Sequence, residues 1–227
     1  MKCEWVSLPV ADGTTMAAFT ARAQAEPRRG VLVLQEAFGV NGHIQDVAQR
    51  LAREGYWAVA PDLFHRTAPR FVGDNNDFRS ALPHMQAMTH AGTAADLRAC
   101  YAWLGAQGTG EAAAIGFCMG GGAAMLAAQE LPLKAAASFY GGNLLSLRAG
   151  VAVTRAPVLL VWGDRDEHIP KAQRDEFAGL LRAANKPFTE CTFSEAGHAF
   201  FNDQRAGYAA EAARVAWAVA LAFLARA

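Results

Sequence analysis

The sequence predicts one α/β domain over residues 1–227, with a mostly parallel central sheet flanked by helices and an antiparallel hairpin at its N-terminus. Three observations carry that expectation. Short apolar runs of strand length alternate with longer stretches of helical period. No linker-like segment and no internal repeat interrupts the alternation. The 227 residues, 52% hydrophobic and 19% charged, suffice for a sizeable core.

In chain order, KCEWVSLP and TMAAFTAR flank Asp12-Gly13, an Asp-Gly turn between two strand-like runs. GVLVLQE is continuously apolar, as a strand buried on both faces would be. IQDVAQRLAREG has helical period and stops at Gly55; YWAVAPD is the next short strand, ending at Pro61. Residues 63–83 scatter Arg, Asp, Asn, Gly and Pro without period and read as a long, functional excursion. AADLRACYAWLGAQ is a helix, EAAAIGF a strand, and the Gly/Ala-rich run after Cys118 a helix. LKAAASFY, PVLLVWG and FTECTFS are strands, with the helix KAQRDEFAGLLRAANK before the last of them. The tail YAAEAARVAWAVALAFLARA is too short an apolar run to span a bilayer and reads as a packed C-terminal helix. Met85 and Met88 read as core filler.

Composition excludes several roles. Lys plus Arg equals Asp plus Glu at 21 each, with no basic run, so neither nucleic acid nor an anionic membrane is an expected partner. MKCEWVSLPV carries Glu4 and lacks a long apolar segment, so it does not read as a signal peptide. Cys3, Cys100, Cys118 and Cys191 are scattered without a CxxC pair. No zinc site and no cofactor are expected, and free thiols point to a cytoplasmic chain.

Gly116-Phe117-Cys118-Met119-Gly120 stands where a strand gives way to a helix. Small neighbours let strand and helix approach closely, and the turn lifts the nucleophile clear of its surroundings. The helix N-terminus aimed at the thiol favours a thiolate. Asp164 and Asp166 follow the strand PVLLVWG, and His198 follows FTECTFS. A cysteine, an aspartate and a histidine, each just past a strand, reproduce the nucleophile–acid–base order of the α/β-hydrolase fold. His198 would take the thiol proton and return it to a leaving group. The aspartate would fix the imidazole tautomer and stabilise its charged form.

These segments, with QEAFGVNGHIQDVAQRLAREGYWAVAPDLFHR, AAIGFCMGGGAAM and GHAFFNDQRAGYAAEAARVAW, resemble the dienelactone hydrolase (carboxymethylenebutenolidase-like) family along nearly the whole chain. The resemblance implies Cys118 as nucleophile and His198 as base. Its Gly-x-x-Asp pattern selects Asp166 over Asp164. Read alone, Glu36 is a loop-edge carboxylate bonded to backbone; the resemblance implies that it holds the resting thiol and helps form the thiolate. It also implies an oxyanion hole of the Ala37 and Met119 N–H groups. Family substrates carry a carboxylate held by arginine, for which the chain offers Arg66, Arg70 and Arg79 in the excursion and Arg205 beyond His198. The sequence departs from the best-known pattern four residues after His198, where Asn202 replaces an arginine. Phe38, Tyr140 and Phe200 are candidate pocket linings. His65, His84, His90 and His168 have no expected role.

The expected activity is hydrolysis of small lactones or esters by a monomer or small homo-oligomer. Amidotransferases also use a cysteine elbow, but they place a Glu two residues after the histidine, where Phe200 stands here. A redox-sensing or inactive binding relative would not need Asp166 and His198 beside the cysteine.

Overall fold

The structure, a computed structural model, describes residues 1–23, 29–75 and 77–225. It comprises two compact units, Met1–Ala113 and Ala114–Ala227.

In the first unit, β1 (Lys2–Pro9) and β2 (Thr15–Arg22) pair antiparallel with Leu8 opposite Met16. Their turn is tied by Asp12, whose carboxylate accepts from the Thr14 N–H at 3.0 Å and hydroxyl at 2.6 Å. β3 (Arg29–Leu34) and β4 (Tyr56–Pro61) run parallel, and β2 pairs antiparallel with β4, giving the order β1-β2-β4-β3. β3 is buried from Gly30 onward because α1 (Gly42–Arg53) and α3 (His90–Ala106) both pack on it. Asn41 caps α1 by accepting from the Ile44 N–H at 3.2 Å. Buried Ile44, Val47, Ala48 and Leu51 then form the stripe that meets the strands.

The excursion expected over residues 63–83 runs on to the start of α3, and it is not wholly irregular. It contains a 3-10 turn at Phe78–Ser80 and the short helix α2 (Leu82–Ala87), with Pro83 in its first turn. Met85 and Met88, read as core from the sequence, are only half-buried: Met85 lies in this six-residue helix and Met88 at its C-cap, and α2 buries none of its residues fully.

The second unit begins within β5 (Glu111–Phe117) and continues through α4 (Met119–Glu130), β6 (Ala136–Phe139), β7 (Val158–Gly163), α5 (Lys171–Ala183), β8 (Phe188–Phe193) and α6 (Ala210–Leu224). Its strands are parallel in the order β5-β6-β7-β8. The 3-10 run Leu144–Val153 was not expected from the sequence. Phe117 pairs with Phe139, Phe139 with Val161, and Gly163 with Phe193, so these strands end nearly level. Segments leaving β5, β7 and β8 therefore emerge at one edge of the sheet. Phe117, Phe139 and Phe201 pack with ring centroids 5.0–5.3 Å apart, and Trp217 of α6 covers Phe201 at 5.7 Å. This is the mostly parallel, helix-flanked architecture of the α/β-hydrolase fold. Among the described residues, no helix is long and apolar enough to cross a membrane.

The closest approach of strand and helix lies at the β5–α4 junction. A Cβ on Gly116 would run into the Gly120 carbonyl. Gly116→Ala is expected to lower the unfolding free energy by about 2 kcal/mol or more in urea titration. A variant as stable as the parent would show that the junction has slack.

Candidate active site

Cys118 occupies the N-cap of α4 with φ 54° and ψ −116°. A non-glycine residue at positive φ is strained, and here backbone bonds hold it there. The Cys118 N–H donates to Phe139 O at 3.0 Å, and its carbonyl accepts from Gly121 N–H at 2.9 Å and Gly142 N–H at 3.1 Å. The turn leaves the side chain half-exposed, while Phe117 beside it is fully buried. Met119 is the first residue of α4, and N–H groups of a first turn are not used within the helix.

Asp166 lies in the turn after β7. Its Oδ1 accepts from the backbone N–H groups of His168 at 2.8 Å and Ile169 at 3.1 Å. Its Oδ2 accepts from Nδ1–H of His198 at 2.8 Å. That bond fixes the tautomer and leaves Nε2 for Cys118, whose sulfur accepts a hydrogen bond from the protonated ring. The two loops carrying this pair are pressed together. Asp164 N–H donates to Phe193 O and Arg165 N–H to Ala196 O, both at 2.9 Å. A Cβ on Gly163 would lie 2.5 Å from Ala196 O and 2.6 Å from Gly197 O, so only glycine permits this approach.

Burial works against a charged His198, but the hydrogen bonds to Asp166 and Cys118 outweigh it and hold the imidazole up at about 10. Burial would likewise raise Asp166, yet the bond from His198 and its charge, with the two backbone N–H groups, keep the carboxyl below its ordinary range. Burial and the neighbouring Asp96 push the Cys100 thiol far up, and burial raises Cys191.

Tyr140, fully buried at φ 38°, packs edge-on against His198 with centroids 5.2 Å apart, and Phe200 backs Tyr140 at 5.6 Å. These rings brace His198 from within the core. The exposed ring of His168 packs perpendicular to His198 at 4.9 Å, a neighbour that nothing in the sequence signals. Asn202 is buried, and its side chain accepts from the Gln204 N–H at 3.0 Å, shaping the turn that carries half-buried Arg205.

In the first unit, Glu36, Ala37 and Phe38 follow β3 and are buried. The excursion grips this loop: Gly39 bridges Val72, Gly73 N–H donates to Phe38 O at 3.1 Å, and Asn41 Nδ2 donates to Asn75 Oδ1 at 3.1 Å. Arg66 is an anchor of the same unit. Its fork binds both oxygens of buried Asp96 at 2.8 Å, and its Nε donates to Asp12 at 2.8 Å. Asp96 also bonds Nε2 of buried His65 at 3.1 Å. Arg79 is exposed in its 3-10 turn.

Residues 16–227 match the family model of the dienelactone hydrolase family. A relative from Methylorubrum extorquens, named by inference as a carboxymethylenebutenolidase, is 36% identical over 231 residues, covering 93% of this chain and 77% of the relative. A relative from Escherichia coli K12, named in the same way, is 35% identical over 231 residues, covering 94% and 83%. The crystal structure of a Klebsiella pneumoniae protein, named by inference as a dienelactone hydrolase, superposes with TM-score 0.91 at 34% identity, covering 100% of this chain and 99% of that one.

The raised His198 has a consequence for stability. Its folded value near 10 lies above its ordinary 6.5, so its contribution is complete below the ordinary value and is lost as pH rises through the folded one. Asp166→Asn removes the carboxylate that raises it. The parent's advantage in Tm over Asp166→Asn should therefore be largest near pH 6 and shrink towards about pH 10.5. A gap independent of pH would show that His198 is not charged in the folded protein.

Proposed function

The chain belongs to the dienelactone hydrolase family and is a hydrolase acting on esters or lactones, and from that premise we propose that Cys118, His198 and Asp166 form its catalytic triad. The observation that carries this reading is the relay from thiol to imidazole to carboxylate, anchored by the 2.8 Å bond from His198 to Asp166 and seated on a strained, half-exposed cysteine. The Cys118 thiolate attacks the carbonyl carbon of a small ester or lactone, and the carbonyl electrons move to oxygen. The oxyanion collapses, the C–O bond breaks, and His198 gives its proton to the departing alkoxide. For a lactone that alkoxide stays tethered to the acyl group. Water, deprotonated by His198, then cleaves the thioester and releases the acid. Backbone N–H groups of Met119 and Ala37 are assigned to the oxyanion by family resemblance, as is the restraint of the resting thiol by Glu36.

The substrate is a small molecule. The fork of Arg66 is engaged by Asp96 and Asp12, and the Arg70 guanidinium lies over the Trp5 ring at 4.3 Å; by family resemblance Arg79 and Arg205 stay the candidates for a substrate carboxylate. The same observation, together with Asn202 at the usual arginine position, favours a second reading: an esterase of broad specificity that does not require a carboxylate. The four free cysteines suit a reducing compartment, which supports the cytoplasm as its place. A monomer or small homo-oligomer remains the assignment for its assembly.

Cys118→Ala should reduce kcat/KM for p-nitrophenyl acetate by about 10³-fold or more while circular dichroism stays unchanged. Near-parental turnover would remove the triad reading. Lactones with and without a carboxylate, assayed on the parent protein, then choose between the two substrate classes.

A further inference from the structure

We propose that Arg174 is the positioning residue of the acid–base pair, sorting the two aspartates of the loop after β7 so that Asp166 alone is presented to His198. This rests on the triad proposed above. Gly163-Asp164-Arg165-Asp166 offers two carboxylates two residues apart on a short turn. Either could swing towards a cationic imidazole, and the two repel each other when both are ionised. The structure separates them. Nη2 of Arg174 donates to Oδ1 of Asp164 at 3.1 Å, while Asp166 takes the imidazole. Nη1 of Arg174 donates to the Gly163 carbonyl at 3.2 Å. That same carbonyl accepts from the Asp166 N–H at 3.4 Å. The guanidinium and the backbone of the acid residue thus share one acceptor, a direct link between α5 and Asp166.

The burial of Arg174 argues that its role is positional. It is 5% exposed, whereas its partner Asp164 is 48% exposed. Its Nε has no hydrogen-bond partner. A guanidinium buried with an idle donor against a half-exposed carboxylate is a poor way to gain stability, because desolvation offsets the attraction. Arg174 also stands in the stripe Arg174, Phe177, Ala178, Leu181, the face that α5 buries. A helix placing an arginine there aims it at the end of β7. Of the other charged groups beside the pair, Glu167 is exposed, and Asp203 and Arg205 follow His198 in its own loop. Arg165 pairs with Glu195 in an exposed bridge, and His168 packs its ring on His198 and donates its N–H to Asp166.

The test uses the full chain labelled with ¹⁵N-histidine, the His198 signal being identified by its loss in His198→Gln. Its titration midpoint is read in the parent, Arg174→Met, Arg174→Lys and the pair Arg174→Met with Asp164→Asn, alongside kcat and KM for p-nitrophenyl acetate. Arg174→Met should lower the His198 midpoint by about one unit or more and kcat by about tenfold, with a smaller change in KM. Removing the competing carboxylate in the pair should recover part of both losses. A midpoint and kcat equal to the parent's, below the unfolding temperature of the variant, would overturn the proposal and leave Arg174 a packing residue. If Arg174→Met does not fold, Arg174→Lys decides: it retains the charge but not the fork, so an intermediate midpoint supports the proposal and a parental one overturns it. The His198 titration does not depend on which nucleophile acts, so its failure is distinct from that of the triad, which Cys118→Ala tests.

Discussion

Cys118 is held at φ 54°, ψ −116°, a backbone conformation that costs about 1–3 kcal/mol and persists only where its surroundings over-determine it. Those surroundings account for much of the second unit. Phe139 O and the N–H groups of Gly121 and Gly142 fix the peptides on both sides of the cysteine. Gly116, with no Cβ to strike the Gly120 carbonyl, lets β5 and α4 come close enough for so sharp a turn. Tyr140, itself at φ 38°, continues the strain one strand over, and its ring supports His198. The strained Cys118 and the braced His198 therefore belong to one packed layer.

Asp166 is held by a different principle. It is an ionised carboxylate that is almost fully buried, and such a group is costly unless its lone pairs are occupied. Two backbone N–H groups and the imidazole occupy them, so the loop that satisfies the carboxylate also orients His198. Rigid strand ends deliver the backbone, short turns deliver the side chains, and backbone bonds across the turns remove the freedom that loops usually have. Charge then follows from geometry: hydrogen bonds to the Asp166 carboxylate and the Cys118 sulfur hold the buried His198 imidazole above its ordinary value.

Much of this was legible in the sequence because it rests on local chemistry. The Asp-Gly hairpin, the doubly buried strands and the Gly-x-Cys-x-Gly elbow each have short-range signatures, and the order of Cys118, Asp166 and His198 follows from placing each after a strand. The 3-10 run at Leu144–Val153 was missed because its residues show neither helical nor strand period. The contact of His168 with His198 depends on how two loops meet, which no spacing encodes. Arg66 invited assignment to substrate because it is an arginine in a long excursion, yet two aspartates from distant positions claim its fork. Arg174 did leave a trace: it lies in phase with Phe177, Ala178 and Leu181, so α5 was bound to carry a charge on its buried side.

The central claim is that acyl transfer passes through a thioester on Cys118. It is tested most directly by mixing the protein with p-nitrophenyl pivalate, whose bulky acyl group slows hydrolysis, quenching in acid within seconds, and weighing the intact chain by mass spectrometry. The account predicts a mass increase of one pivaloyl group, located on the peptide containing Cys118 and released as fresh thiol on prolonged incubation. Release of p-nitrophenol with no adduct on Cys118, or with the adduct on another residue, would contradict it.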